Sequence, residues 1–176
     1  MGRKEKIDER ALKVSEPDGV VGTLHRVLKL NNRLMAPFSM HLSHRYNISL
    51  NEFRLLMAIG RLGASASHEL AEHTGVNAMS VSRAVSTLER HGRISVEPDP
   101  CNRRRKVLKL TAEGKRLYDI MGPQTIKVAD YLLADLPPAD LARFDALVGK
   151  LIARLEATDE NGRSLFLERT KPADEA

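Results

Sequence analysis

The stretch from Asn77 to Leu110 reads NAMSVSRAVSTLERHGRISVEPDPCNRRRKVLKL and holds two different periodicities back to back. Its first half opens at Asn77 or Ser80, both residue types that cap helices, and runs through Val81, Val85 and Leu88 at helical spacing to a stop at Gly92. Ala78, Ser80 and Ser82 keep the first turn small, and Arg83 follows them. A buried scaffold helix would carry larger apolar residues there. A small, polar and basic first turn suits a helix that enters a DNA major groove ~12 Å wide. In the second half Ile94-Ser95-Val96 and Val107-Leu108-Lys109-Leu110 read as strands joined by a turn from Pro98 to Asn102. The spacing therefore predicts a β-hairpin with Arg103, Arg104, Arg105 and Lys106 at or beside its tip.

Upstream, Ser67 opens a short helix through Glu69, Leu70, Ala71 and His73 that stops at Gly75. The tight Gly75-Val76-Asn77 connection gives two helices a helix-turn-helix outline. A helix-turn-helix followed by a basic hairpin is a winged helix, whose guanidinium groups can reach a minor groove and its phosphates. Charge placement agrees. Between Asn77 and Lys109 eight basic residues (Arg83, Arg90, Arg93, Arg103, Arg104, Arg105, Lys106 and Lys109) face three acids, Glu89, Glu97 and Asp99. The net charge of the whole chain is +5, so this segment carries all of the excess. That is the distribution of a polyanion-binding surface on a neutral scaffold; the plain alternative is a solvated loop.

Both flanks read as helical. Residues 1–19 are poor in apolar side chains and are expected to form a flexible arm. Leu24, Val27, Leu28, Leu34, Met35, Phe38 and Leu42 recur at three and four over 20–48, with a kink or break expected at Pro37. Residues 49–111 hold the winged helix-turn-helix, beginning with a helix over about 50–62 capped by Ser49 or Asn51. Residues 112–158 hold a long helix from about 112 to 134, capped by Thr111 and expected to be disturbed at Pro123 after Gly122, and a last helix starting at Asp140 after Pro137-Pro138. In that last helix Leu141, Phe144, Val148, Leu151 and Leu155 approximate a coiled-coil seam. Packing on the domain's own core would explain such a seam, but the winged-helix core lies elsewhere in the chain, and a dimer interface explains it better. Residues 159–176 are expected to be a polar, frayed tail, with Leu165-Phe166-Leu167 able to tuck onto a partner.

Set in order, Glu69-Leu70-Ala71, Ser80-Val81-Ser82-Arg83, Leu88-Glu89-Arg90-His91-Gly92, Asp99-Pro100-Cys101-Asn102-Arg103-Arg104 and Leu110-Thr111-Ala112-Glu113-Gly114 resemble the multiple-antibiotic-resistance-regulator (MarR) family. The likeness extends over about 20–158. It implies a mainly α fold with a small β-wing, in which a winged helix-turn-helix is flanked by N- and C-terminal dimerisation helices. It further implies a homodimeric transcriptional regulator of double-stranded DNA, usually a repressor, that a small ligand releases. On that likeness Asn77, Ala78, Ser80, Ser82 and Arg83 are the recognition-helix candidates, and Asn102, Arg103, Arg104, Arg105 and Lys106 those of the wing. Asn102 stands where the family usually has an aspartate that orients the wing arginine. The first and last helices would build the dimer through Leu24, Leu28, Leu141, Phe144, Val148, Leu151 and Leu155. The effector pocket would be lined by Arg33, Phe53 and Met57, one cation beside apolar walls, which suits an organic anion such as a phenolic acid or its thioester.

The remaining features exclude more than they suggest. A chain of 176 residues with 42% hydrophobic residues suits one domain with a real core. It holds no apolar run of the ~18 residues a membrane span needs, and its start has no apolar leader segment; a cytoplasmic protein with no membrane partner is expected. Cys101 is the single cysteine, so it reads as a bystander rather than a redox pair, and His41 and His44 read as surface residues rather than metal ligands. Neither a Walker loop nor a G-x-G-x-x-G, G-x-S-x-G or H-E-x-x-H motif occurs, and no enzyme activity or cofactor is expected. Against a sequence-specific regulator stands one alternative, an architectural or protein-binding winged helix without sequence preference.

Overall fold

A computed structural model describes residues 19–99 and 105–172; the expected arm at 1–19 except Gly19, and residues 100–104 and 173–176, lie outside them. The order is α1 (Val20–Tyr46), α2 (Leu50–Leu62), α3 (Ser67–Thr74), α4 (Ala78–Arg90), β1 (Ile94–Pro98), β2 (Lys106–Leu110), α5 (Ala112–Leu133), α6 (Pro138–Glu156) and α7 (Leu165–Thr170). This is the mainly helical architecture with a small β-wing that the sequence predicts. No helix among the described residues is long and apolar enough to cross a membrane. The chain divides after Tyr118 into two compact units.

In the first unit the core is built from Leu42 of α1, Leu55, Leu56 and Ile59 of α2, Leu70 of α3, Val81 and Leu88 of α4, and Ile94 and Leu108 of the hairpin, all buried. Local chemistry sets the ends of these elements. Ser49, not Asn51, caps α2: its Oγ accepts from the Glu52 N–H and donates to the Glu52 carboxylate at 2.9 Å, a reciprocal cap. At α3 the Ala66 N–H donates to Glu69 Oε2 at 2.7 Å. Gly75 ends α3 in the left-handed region, φ 67°, where glycine carries no Cβ penalty. The strands pair antiparallel, Ile94 with Leu110 through Pro98 with Lys106, and reciprocal Ser65–Leu108 backbone hydrogen bonds fasten the hairpin to the chain before α3. Each strand is longer than the sequence reading gives it, because Pro98 closes β1 at a position where its missing N–H costs nothing.

Three expectations change, at Pro37, at Pro123 inside an unbroken α5, and at the start of the last helix. α1 is continuous through Pro37, with no break there: one backbone hydrogen bond is lost, but the turns on both sides persist and Leu42, past the proline, is anchored in the core. The last helix begins at Pro138 rather than Asp140, since proline's fixed φ and absent N–H suit a first helical turn. Gly60 is interior to α2 and marks a close approach: a Cβ there would lie 2.3 Å from the Tyr118 ring. Gly63 is the stop, its N–H bonding Ile59 at 2.8 Å.

In the second unit α6 buries none of its residues; Leu141, Phe144, Leu147, Leu151 and Leu155 are exposed and Val148 is half-buried. Residues 157–172 are structured rather than frayed. Thr158 bridges Ser164 around a turn in which Asp159 Oδ1 accepts from the N–H groups of Asn161 and Arg163, and Ser164 caps α7.

Candidate nucleic-acid interface

α4 is placed by its own buried stripe. Val81, Ala84 and Leu88 face the core at i, i+3 and i+7, which turns Met79, Arg83, Ser86 and Arg90 to the opposite, exposed side. Asn77 Oδ1 accepts from the Ser80 N–H at 2.9 Å, so the carbonyl end of this predicted DNA contact is committed to capping the helix. Ala78, Ser82 and Arg83 are exposed as predicted, and Ser80 is half-buried. Ser86 donates to the Ser82 carbonyl at 3.0 Å, and Arg83 Nη2 donates to Met79 Sδ at 3.4 Å. Sequence reasoning passed over Met79, Ser86 and Arg90 as members of this face; the 3.6-residue period, projected from Val81, places all of them.

The cations of the basic segment separate into scaffold and surface. Arg93 is buried: Nη1 and Nη2 donate to the carbonyls of Asn47 and Tyr46 at 2.9 and 3.0 Å, and the Glu52 carboxylate lies 3.6 Å away. It thus satisfies the carbonyl end of α1, where Asn47 turns left-handed (φ 47°), and contributes nothing to the surface. Lys109 pairs with Glu97 at 2.7 Å across the hairpin, and that contact, with the Ser95 hydroxyl, holds the Glu97 carboxyl below its ordinary range. Arg105 belongs to the wing root: its guanidinium donates to Glu69 of α3 and lies 3.6 Å from Asp99. Glu69 is itself held below the ordinary carboxylate value, first by the Ala66 N–H and then by Arg105. Arg83, Arg90 and Lys106 remain exposed with no acidic partner among the described residues. Asn102, Arg103 and Arg104 lie outside the described residues, as does Cys101.

The expected pocket residues differ in exposure. Phe53 is a core side chain whose ring meets Phe38 edge-on at 5.0 Å, and Met57 is half-buried one turn along α2. Arg33 is exposed and borders an open hollow of about 440 Å³ lined by His25, Leu28, Lys29 and Asn32 of its own helix. The dimer candidates on α1, Leu24 and Leu28, are exposed. His41 packs edge-on against Tyr46 at 6.0 Å, and among the described residues no three His, Cys, Asp or Glu side chains converge to hold a metal.

Known proteins share this arrangement. The MarR family model matches residues 48–106, from the start of the α2 cap to the first residue of β2. The chain is 27% identical over 110 residues to the HTH-type transcriptional repressor NicR of Pseudomonas putida, spanning 62% of this chain and 67% of NicR. The solved structure of FabT from Streptococcus pneumoniae in complex with DNA is similar with a TM-score of 0.64 at 18% identity, over 76% of this chain and 95% of that one. BpsR of Bordetella bronchiseptica, whose DNA binding is regulated by 6-hydroxynicotinic acid, is similar with a TM-score of 0.64 at 22% identity, over 76% and 93% of the two chains. At these identities the likeness to the two solved structures speaks for the fold.

Proposed function

We propose that this chain, whose residues 48–106 match the MarR family model, is a winged-helix transcriptional regulator rather than an enzyme, and that it works as a homodimeric repressor that leaves a pseudo-palindromic operator when a small organic anion binds. The observation that carries this reading is the α4 face, polar and basic, standing opposite a fully buried stripe and beside a hairpin whose tip holds further arginines. Asn77, Ala78, Ser80, Ser82 and Arg83 enter the major groove, where an arginine can contact guanine through two hydrogen bonds. Asn102, Arg103, Arg104 and Lys106 serve the adjacent backbone and minor groove, with Arg105 fixing the root of the wing.

Leu24 and Leu28 of α1 and Leu141, Phe144, Val148, Leu151 and Leu155 of α6 are covered by a second copy. Their exposure on each helix supports this, since exposed large apolar side chains grouped on one face mark interaction sites. Two-fold symmetry then sets the recognition helices in successive major grooves ~34 Å apart. For the effector, Arg33 supplies the cation and Met57 the apolar wall, with Phe53 backing the site. The regulation of the similar BpsR by an aromatic carboxylic acid supports an anion of that class.

Fluorescence anisotropy on the chain's own upstream intergenic DNA, with scrambled competitor at fixed salt, tests this reading. Competitor-resistant binding that small aromatic acids reverse is the expected result. Binding that scrambled DNA abolishes equally well would leave a winged helix without sequence preference, and the repressor reading would fall.

A further inference from the structure

On the exposed face of α4 one side chain does not fit a surface built for phosphates. Met79, the second residue of the helix, is 66% exposed, while Val81, Ala84 and Leu88 are buried and Val85 is half-buried. Its neighbours on that face are Ser82, Arg83 and Ser86, each able to hydrogen-bond; Met79 alone offers a large apolar end. The thioether also accepts from Arg83 Nη2 at 3.4 Å, so the methionine and the guanidinium lie against each other and project from the same side of the first two turns. In a major groove the base edges are hydrogen-bonding groups with one apolar exception, the 5-methyl of thymine. An unbranched, polarizable side chain reaches such a methyl without a fixed approach angle.

We propose that Met79 is a specificity-determining residue that reads the 5-methyl group of a thymine in each operator half-site. The proposal rests on the reading above that α4 lies in a major groove. Arg83, held beside it, sets the polar half of the same readout.

The test is selection of double-stranded DNA from a pool with a random core by the full chain and by its Met79→Ala and Met79→Leu variants, followed by replacement of each enriched thymine with deoxyuridine, which lacks only the methyl. Wild type should enrich a thymine whose replacement weakens binding roughly four-fold per half-site, the equivalent of one methyl group withdrawn from apolar contact. Met79→Ala should neither enrich that thymine nor respond to deoxyuridine, whereas Met79→Leu, which keeps an apolar end, should still respond. Because Met79 is exposed, unchanged thermal unfolding of both variants is expected and shows that the fold is intact. A motif whose deoxyuridine sensitivity is the same in Met79→Ala as in wild type would overturn the role of Met79 while leaving major-groove reading in place. No enrichment by wild type would overturn both.

Discussion

α4 and α6 are both amphipathic helices, but they solve opposite problems. α4 hides its apolar stripe completely, through Val81, Ala84 and Leu88, and shows solvent a face of serines and arginines. α6, 19 residues long, fully buries none of its residues and shows Phe144, Leu147, Leu151 and Leu155. A polar face on a finished core needs no further burial, so it is free to meet a charged ligand without refolding. An apolar face with no cover is incomplete, because helices of this length draw most of their stability from packing rather than propensity. The first surface suits DNA and the second suits another copy of the chain.

The largest effect should come from breaking what stands behind α4. Arg93→Ala removes the group that satisfies the Tyr46 and Asn47 carbonyls and leaves the buried Glu52 carboxylate without its cation. Breaking a buried pair from one side costs about 3–5 kcal/mol, and urea unfolding should register a loss of that order. A loss under about 1 kcal/mol would mean that Arg93 is not part of the scaffold. Next comes α6: Leu151→Glu places a charge in the middle of its apolar face. Light scattering should show a dimer becoming a monomer, and operator affinity should fall at least 100-fold as the second half-site is lost, equivalent to ~2.7 kcal/mol. A variant that stays dimeric would remove α6 from the interface.

What the sequence could and could not reveal follows the same divide. α2, α3, α4 and the hairpin were legible because their signals are local: a cap at Ser49 or Asn77, a left-handed glycine at Gly75, a period of 3.6 or 2. The fate of the positive charges was not. Arg93 meets carbonyls 46 and 47 residues away, and Arg105 meets a carboxylate 36 residues away, so no window on the sequence separates these scaffold cations from Arg83. Met79 differs: the 3.6-residue period projected from Val81 puts it opposite the stripe, but periodicity alone does not say what an exposed apolar residue there does. Short α7 lacks enough turns to display a period at all.

That division of the cations can be sharpened within one assay. Arg83 is exposed and unpaired with any acid among the described residues, so Arg83→Ala should weaken operator binding by about 10–100-fold, or ~1–3 kcal/mol, without changing thermal stability. Lys109 is spent on Glu97, and Lys109→Ala should leave affinity within about three-fold. Equal losses from the two would mean that net charge, rather than a positioned face, drives binding.

The smallest expected effect concerns the seam between α3 and the wing. Glu69 accepts from the Ala66 N–H and from Arg105, and these contacts hold its carboxyl below the ordinary value of 4.5. Folding therefore favours the charged form: the contribution is complete above the ordinary carboxylate value and disappears as pH falls through the lower value of the folded protein. Glu97 and Glu113 are shifted the same way by Lys109 and Arg116, so acid destabilisation of the wild type alone does not isolate Glu69. Glu69→Gln does, since glutamine keeps an acceptor for Ala66 and gives up the charge together with the second oxygen that accepts from Arg105. At pH 7 the wild type should melt slightly higher than the variant, and the gap should close as pH is lowered below about 4. Because the pair is exposed, raised salt should narrow the gap as well. A gap that survives acid unchanged would mean that shape rather than charge ties the wing root to α3.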